Sequence, residues 1–197
     1  MSVVRVYKNF FSKELIEELD NYIINLFRVP NNNFFVTMPL RERADRKSAW
    51  YMQPQLNHYI EGDFYDRIRD HVNVRTAHTE MEFADMFLTF MDTHQSLAWH
   101  RDNTSGRKDV VSESFRIPEK RNGSITVHLS KNWTKEDGGL FKYGHKNHPD
   151  IMVPEHNVAI QFDTSIYHCV TEVTKPWEEM SIDHLRKTLQ IWMKKRV

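Results

Sequence analysis

The stretch Leu97-Ala98-Trp99-His100-Arg101-Asp102-Asn103 decides how the rest of this chain is read. His100 and Asp102 stand two positions apart, and on extended backbone such side chains project from the same side of the strand. The pair forms a two-pronged claw of one imidazole and one carboxylate. Alone, a His-X-Asp triplet also describes a surface turn with a solvated ion pair. Its meaning therefore depends on what the chain supplies elsewhere. A mononuclear iron(II) site with open positions for substrates needs two imidazoles and one carboxylate on one face of an octahedron. A second imidazole is on offer 66 residues beyond Asp102, at His168, where the apolar-rich run 158–162 leads through a turn.

Working outward, residues 86–91 (Met-Phe-Leu-Thr-Phe-Met) form a compact apolar run that Asp92 and His94 close quickly, which predicts a core strand. Residues 103–124 have no apolar period and carry many charges, and a loop of that length beside two candidate ligands reads as a lid or substrate loop. Residues 125–129 read as a strand, 131–139 as a turn-rich connection ending in Gly138-Gly139, and 140–143 as a strand. The stretch 145–150 reads as a loop, 152–154 as a short edge element and 157–162 as a strand. After a polar connection over 172–184, Arg186 opens a strand-like run whose core is 189–193, followed by a basic Lys194-Lys195-Arg196 tail expected in solvent.

The N-terminal part has a different period. Residues 3–7 suit a short strand, and Ser12 suits a helix N-cap with Glu14 in the first turn. Leu15, Ile16, Leu19, Tyr22, Ile23, Leu26 and Phe27 then recur every three or four positions, one apolar stripe of a helix lying on a sheet. Pro30 and Asn31-Asn32-Asn33 end it. Residues 34–38 suit a strand and 41–47 a solvated charged segment, while Trp50-Tyr51 reads as core packing. Phe64, Ile68 and Val72 predict a second helix over 63–72 after Gly62. The expected fold class is α+β, mainly β: a double-stranded β-helix, or jelly roll, with the N-terminal helices packed on one sheet.

At 197 residues, 40% of them hydrophobic, the chain suits one domain over 1–197, with a helical support region at about 1–80 and the jelly-roll core at about 81–193. Its 27 basic and 27 acidic residues cancel, which counts against a nucleic acid as partner. Cys169 has no second cysteine to pair with, the start has no secretory pattern, and no apolar run is long enough for a membrane span. The expectation is a cytoplasmic protein.

The order of parts (claw, Gly138-Gly139 segment, His168, Arg186 opening the last strand) resembles the iron(II) and 2-oxoglutarate-dependent oxygenases, in particular the prolyl-4-hydroxylase-like branch, over roughly residues 80 to 193. Leu129-Ser130-Lys131-Asn132-Trp133 followed by Gly138-Gly139 is similar to a leucine, asparagine, tryptophan and paired-glycine segment of that branch. Trp192, six places after Arg186, matches a tryptophan of its last strand. The resemblance implies iron(II) held by His100, Asp102 and His168, with 2-oxoglutarate and dioxygen as co-reactants and ascorbate as a reductant. It implies hydroxylation with release of succinate and carbon dioxide. Related halogenases lack the carboxylate, so Asp102 favours hydroxylation.

The far carboxylate of 2-oxoglutarate needs a cation, and Arg186 offers a planar, permanently charged fork. In that branch the arginine follows the distal histidine by about ten residues. Here the gap is 18, which reads as a loop insertion and leaves Lys175 as the rival anchor. Two family tyrosines that touch the cosubstrate are replaced by Phe90 and His128, of which only His128 can hydrogen-bond. Thr126 is a further candidate contact. The implied substrate is a small molecule or peptide of prolyl or amino-acid type. Two competing readings are a catalytically silent jelly-roll binding protein, suggested by Phe90 and the long gap, and an oxidative demethylase of nucleic acid, which would need a basic groove.

Overall fold

Alternation is the rule that builds this protein. The computed structural model describes residues 4–28, 36–37, 56–102, 121–176 and 181–196. In chain order the elements are β1 (Arg5–Tyr7), α1 (Lys13–Arg28), β2 (Val36–Thr37), β3 (Leu56–His58), α2 (Asp63–Arg75), β4 (Met81–Met91), β5 (Leu97–His100), β6 (Gly123–His128), β7 (Phe141–His145), β8 (His148–Met152), β9 (Val158–Asp163), β10 (His168–Val170) and β11 (Arg186–Lys195). They form a seven-stranded sheet in the order β1-β9-β6-β11-β4-β3-β2 and a four-stranded sheet in the order β5-β10-β7-β8. Between β4 and β11 the chain keeps crossing from one sheet to the other, the winding of a double-stranded β-helix.

Helix α1 starts where Ser12 accepts the Leu15 N–H at 3.2 Å, an N-cap that satisfies one of the helix's free donors. Its stripe Leu15, Ile16, Leu19, Ile23 and Leu26 is buried together with Ile68 and Val72 of α2. Both helices lie on one face of the larger sheet, against Met86, Leu88, Phe90, Ile125, Val127, Leu189, Ile191 and Met193. Each fully buried aliphatic side chain there contributes roughly 1.5–3 kcal/mol. Every second residue of the same strands faces the other way, into the space between the sheets. Thr126, His128, Arg186, Thr188 and Gln190 lie on that inner wall, with Thr188 opposite His128 and Gln190 opposite Thr126. Met91, Phe141, Ile160, Phe162 and Val170 close a second apolar cluster between the sheets.

Asn157 ties the N-terminal segment to the end of β6. In the left-handed conformation at φ 60, it accepts from Phe11 N at 2.9 Å and donates to Phe11 O at 3.0 Å, while its own N–H bonds His128 O at 2.8 Å. Asparagine tolerates that backbone region better than most residues.

Several sequence expectations shift. Residues 145–150 are not a loop: β7 and β8 form a hairpin in which His145 faces His148. Pro149 is compatible with this because β8 is an edge strand, where a missing N–H breaks no ladder. Strand β6 takes in Gly123 and Ser124, which the expected lid had claimed. The rest of that lid, residues 103–120, lies outside the described residues, as do 41–47 and Trp50-Tyr51. Lys194 and Lys195 continue β11 instead of forming a free tail, and Lys194 pairs with Glu82 of β4 at 3.2 Å. Among the described residues no helix is long and apolar enough to cross a membrane.

Candidate metal centre

Strands β5 and β10 are antiparallel neighbours, and their register sets His100 directly opposite His168. Facing residues on adjacent strands hold their side chains on the same side of the sheet, so two imidazoles 68 residues apart in the chain become neighbours with ring centres 4.1 Å apart. Strand β5 ends at His100, and Asp102 lies just beyond it in a turn, held where its N–H bonds Thr164 O at 3.0 Å. The claw therefore depends on that turn as well as on strand alternation. Asp102 Oδ1 lies 3.5 Å from His100 Nε2 and 3.6 Å from His168 Nε2.

The donor set fits a divalent ion. All three ligand atoms lie within 4.8 Å of one another, and among the described residues this is the only such cluster. Two donors about 2.1 Å from a common ion are about 3 Å apart at a right angle and about 4 Å apart when opposite. The two measured separations fall between these limits. Both imidazoles are oriented by their far nitrogens: His100 Nδ1 donates to Ala98 O at 2.8 Å and His168 Nδ1 to Ile166 O at 3.0 Å. With the far nitrogens so engaged, Nε2 is the atom each ring turns to the centre, and it ligates a metal when it carries no proton. Burial pushes the His168 imidazole down to about 4, so the ring is neutral at pH 7, the state a metal needs. Burial alone would raise the Asp102 carboxyl, but the His100 hydrogen bond and the two imidazoles hold it below its usual range. Rings of Phe162 and Phe141, 4.8 and 5.4 Å from the His168 ring, keep that side dry.

Arg186 lies on the inner wall, 2% exposed. Its Nε donates to Gly139 O at 2.7 Å and Nη1 to Met91 Sδ at 3.7 Å, whereas Nη2 is buried without a partner among the described residues. Burial lowers its pKa to about 10, so the guanidinium stays charged at neutral pH. A buried cation that meets only a carbonyl and a thioether calls for an anion. His128 is fully buried, neither ring nitrogen has a partner among the described residues, and burial together with the Arg186 charge keeps it neutral. Phe141 bridges the two groups, 6.3 Å from His128 and 5.4 Å from His168.

Other candidates fall away. Lys175 sits 3.5 Å from Asp137 and over the Trp133 ring, outside the inner wall. Thr126 does not offer its proton to a cosubstrate, because Oγ1 donates to Gln190 Oε1 at 2.8 Å. Phe90 does not replace a cosubstrate contact: it packs in the helix-side core against Phe27, and its neighbour Met91 faces Arg186. Trp99 is neither core nor pocket wall, since it alternates with His100 and stacks on Tyr167 at 5.8 Å. Cys169 is a buried thiol whose pKa burial raises.

The paired glycines have separate jobs. Gly138 and Gly139 both have positive φ, at 67 and 59. A Cβ on Gly138 would meet Glu172 O at 2.1 Å, whereas one on Gly139 would meet Arg186 Cδ at 2.7 Å. Backbone cannot yield as a side chain can, so Gly138→Ala is expected to destabilise more, by several kcal/mol against roughly 1–3 for Gly139→Ala. Gly139→Ala is expected to cost more in 2-oxoglutarate binding, because it displaces Arg186. Melting temperature and cosubstrate titration of the two variants check this ordering.

The sequence reading missed Ser124, Gln190 and Met91 as wall residues. The signal for Ser124 and Gln190 was a polar residue at every second position of a strand whose other positions are apolar, as in Ser124-Ile125-Thr126-Val127-His128, whereas Met91 sits in an apolar run that carries no such signal.

A family model described as the 2OG-Fe(II) oxygenase superfamily matches residues 81–194, more than half of the chain. The chain belongs to that superfamily. This oxygenase is therefore a dioxygenase whose cofactors are iron(II), 2-oxoglutarate and dioxygen. Its fold is similar to that of a Pseudomonas putida prolyl-4-hydroxylase, with a TM-score of 0.67 at 13% identity over 100% of this chain and 94% of the other. A Trichoplax adhaerens prolyl hydroxylase, solved with a hypoxia inducible factor peptide fragment, gives 0.68 at 14% over 98% and 83%. The viral collagen prolyl hydroxylase of Paramecium Bursaria Chlorella virus-1, solved with 2OG, gives 0.57 at 13% over 98% and 96%. No curated protein sequence matches the oxygenase.

Proposed function

We propose that this oxygenase holds iron(II) with His100, Asp102 and His168, holds 2-oxoglutarate with Arg186 and His128, and hydroxylates an unactivated C–H bond of a prolyl or amino-acid-type substrate, releasing succinate and carbon dioxide. The observation that carries this is Arg186, a buried cation on the same inner wall as a fully buried His128; neither Arg186 Nη2 nor either His128 ring nitrogen has a hydrogen-bond partner among the described residues. Two separated groups of that kind suit a dicarboxylate better than a single small anion.

When bound, iron(II) and 2-oxoglutarate activate dioxygen for C–H oxidation. The protein's own part is placement. His100, Asp102 and His168 would hold the metal, and three protein ligands would leave room on it for the co-reactants. Arg186 supplies a bidentate match for the far carboxylate, and neutral His128 presents an N–H without adding charge to an already cationic wall. Phe141 and Phe162 exclude water, which strengthens each of these contacts. Asp102 keeps the carboxylate position filled, which favours hydroxylation over halogenation. The proteins of like fold are named as prolyl hydroxylases, and this supports a prolyl residue in a peptide, or a related small molecule, as the substrate. A single buried cysteine suits work in the cytoplasm, within one domain spanning 1–197. The silent-binder reading loses its two supports, since Phe90 faces the helices and Arg186 reaches the inner wall despite the long gap.

The test is to add 2-oxoglutarate to the anaerobic iron(II)-loaded protein and record the visible charge-transfer band of a chelated 2-oxo acid. Succinate formation is then measured with prolyl peptides and with free proline. The band should appear, and one substrate class should stimulate succinate release. A folded, iron-bound protein that never shows the band would refute the cosubstrate site.

A further inference from the structure

The outer face of the four-stranded sheet is built differently from the inner one. Strand alternation turns Trp99, Lys142 and Ile151 away from the metal centre, while Arg101 and Tyr167 lie just beyond the strand ends that carry His100 and His168. Both described helices pack on the other sheet. Asp150 is the only carboxylate in these four strands, and it pairs with Tyr143, which faces inward. The outer face therefore presents cations without a strand carboxylate, in a chain whose charges balance as a whole. Ile151 is 53% exposed on it.

Tyr167 gathers two of the cations. Trp99 stacks on its ring at 5.8 Å, with Arg101 Cζ 5.1 Å and Lys146 Nζ 4.6 Å from the ring centre. Gly144 N donates to Tyr167 O at 2.8 Å, which draws the tip of the β7–β8 hairpin, with Lys146, to the same place. A ring face attracts cations but does not neutralise them. Among the described residues Arg101, Lys142 and Lys146 make no ion pair, whereas Lys131, Lys175, Lys187 and Lys194 each meet an acid. Two like charges drawn to one ring suit an anion that they can share. Because the ring already restricts both side chains, ordering them around a carboxylate costs less.

We propose that this face docks an acidic segment of a polypeptide substrate, on the same chain as the residue that is oxidised. The inference rests on the reading of the metal centre as an oxygenase site that acts on a peptide. Trp99 and Arg101 flank His100 in the chain, and Tyr167 precedes His168, so the patch lies directly behind the ligands. Among the described strands β5 is an edge of its sheet. An extended chain at about 3.3 Å per residue would round that edge in roughly three to five residues. Nucleic acid fits less well. The Tyr167 ring is already engaged by Trp99, Arg101 and Lys146 instead of being open to a base, and Arg101, Lys142 and Lys146 are few cations for a phosphate backbone.

Fluorescence anisotropy on the anaerobic iron(II)-loaded protein tests the docking without turnover. The probes are a labelled proline peptide with glutamates about four residues from the proline on either side, the same peptide with glutamines, and a single-stranded DNA. The glutamate peptide should bind roughly 10-fold tighter than the glutamine one at low salt, and the advantage should fade as salt rises. Lys146→Glu, on an exposed hairpin turn where the fold should survive, should remove most of that advantage. In succinate assays the glutamates should lower KM and leave kcat unchanged, because the acidic segment binds equally in the ground and transition states. Equal binding of the two peptides, or wild-type affinity in Lys146→Glu, overturns the proposal. DNA that binds as tightly as the glutamate peptide and is lost in the same variant overturns it in favour of a nucleic-acid surface. Tight glutamate binding with no effect on KM overturns the link to substrate and makes the occupant a separate acidic partner. Failure of the oxygenase reading looks different: the glutamate peptide still binds by charge, but the 2-oxoglutarate charge-transfer band and succinate are both absent.

Discussion

His100→Ala should lower the affinity for iron(II) by on the order of 100-fold and take 2-oxoglutarate turnover below detection. Structural metal sites with four ligands bind with about 10–16 kcal/mol, or roughly 3 kcal/mol per ligand, and 1.4 kcal/mol is a factor of ten. Only three protein ligands are present, so the loss of one leaves a pair that water can outcompete. His100 lies on the edge strand β5 with its side chain 15% exposed, so its truncation opens less of a cavity than loss of His168, and the metal-free variant should melt closer to wild type. His168→Ala should lose metal at least as strongly. It should also melt lower, because His168 is 4% exposed between Phe141 and Phe162 and its removal opens a void in the inter-sheet cluster. Anaerobic iron titration with succinate detection checks both variants. Turnover that persists in each would show that the iron sits elsewhere.

Replacing Arg186 by methionine should give two effects of opposite sign. In the ligand-free protein the guanidinium is buried with no anion beside it among the described residues, and its pKa is lowered to about 10 by that burial. Carrying such a charge costs on the order of 3 kcal/mol, and apolar replacements of buried ionic groups often stabilise by about 1–4 kcal/mol. Part of that gain is lost again, because Gly139 O loses its donor. Ligand-free Arg186→Met should therefore melt at or a few degrees above wild type. Wild type should rise in melting temperature when 2-oxoglutarate is added with metal, as any ligand that binds only the folded state requires. The variant should show almost none of that rise, and its KM for 2-oxoglutarate should increase roughly 100-fold or more, as expected when the partner of a desolvated carboxylate is removed. Thermal melts with and without 2-oxoglutarate are the measurement. A variant that keeps the ligand-induced rise would remove Arg186 from the site. One that is strongly destabilised without ligand would show that the guanidinium is satisfied in a way its two contacts do not reveal.

Much of the scaffold could be read from period alone. The stripe of α1, the Ser12 cap and the apolar strands each follow from local rules, since cap chemistry and amphipathic spacing act over a few residues. The β7–β8 hairpin was hidden because its sequence, His145-Lys146-Asn147-His148-Pro149-Asp150, has the composition of a loop. Only its edge position makes that sequence acceptable as strand. Phe90 was misplaced for a related reason. Matching it to a family tyrosine gives its position along the chain but not the face it occupies, and a shift of one residue turns a strand side chain from one face to the other.

The sequence by itself determined the ligand types, the claw and the strands that carry His168 and Arg186, because residue chemistry and strand period are local properties. It also contained the polar alternation of β6 and β11. Tertiary structure alone decided what those residues meet. The pairing of His100 with His168 depends on the register of β5 and β10. The isolation of Arg186 depends on which strand ends surround it, and the bond between Thr126 and Gln190 depends on β6 and β11 lying side by side. Burial, charge neutralisation and hydrogen-bond direction are properties of neighbours in space. Chain order does not supply them until the two sheets have closed around the site.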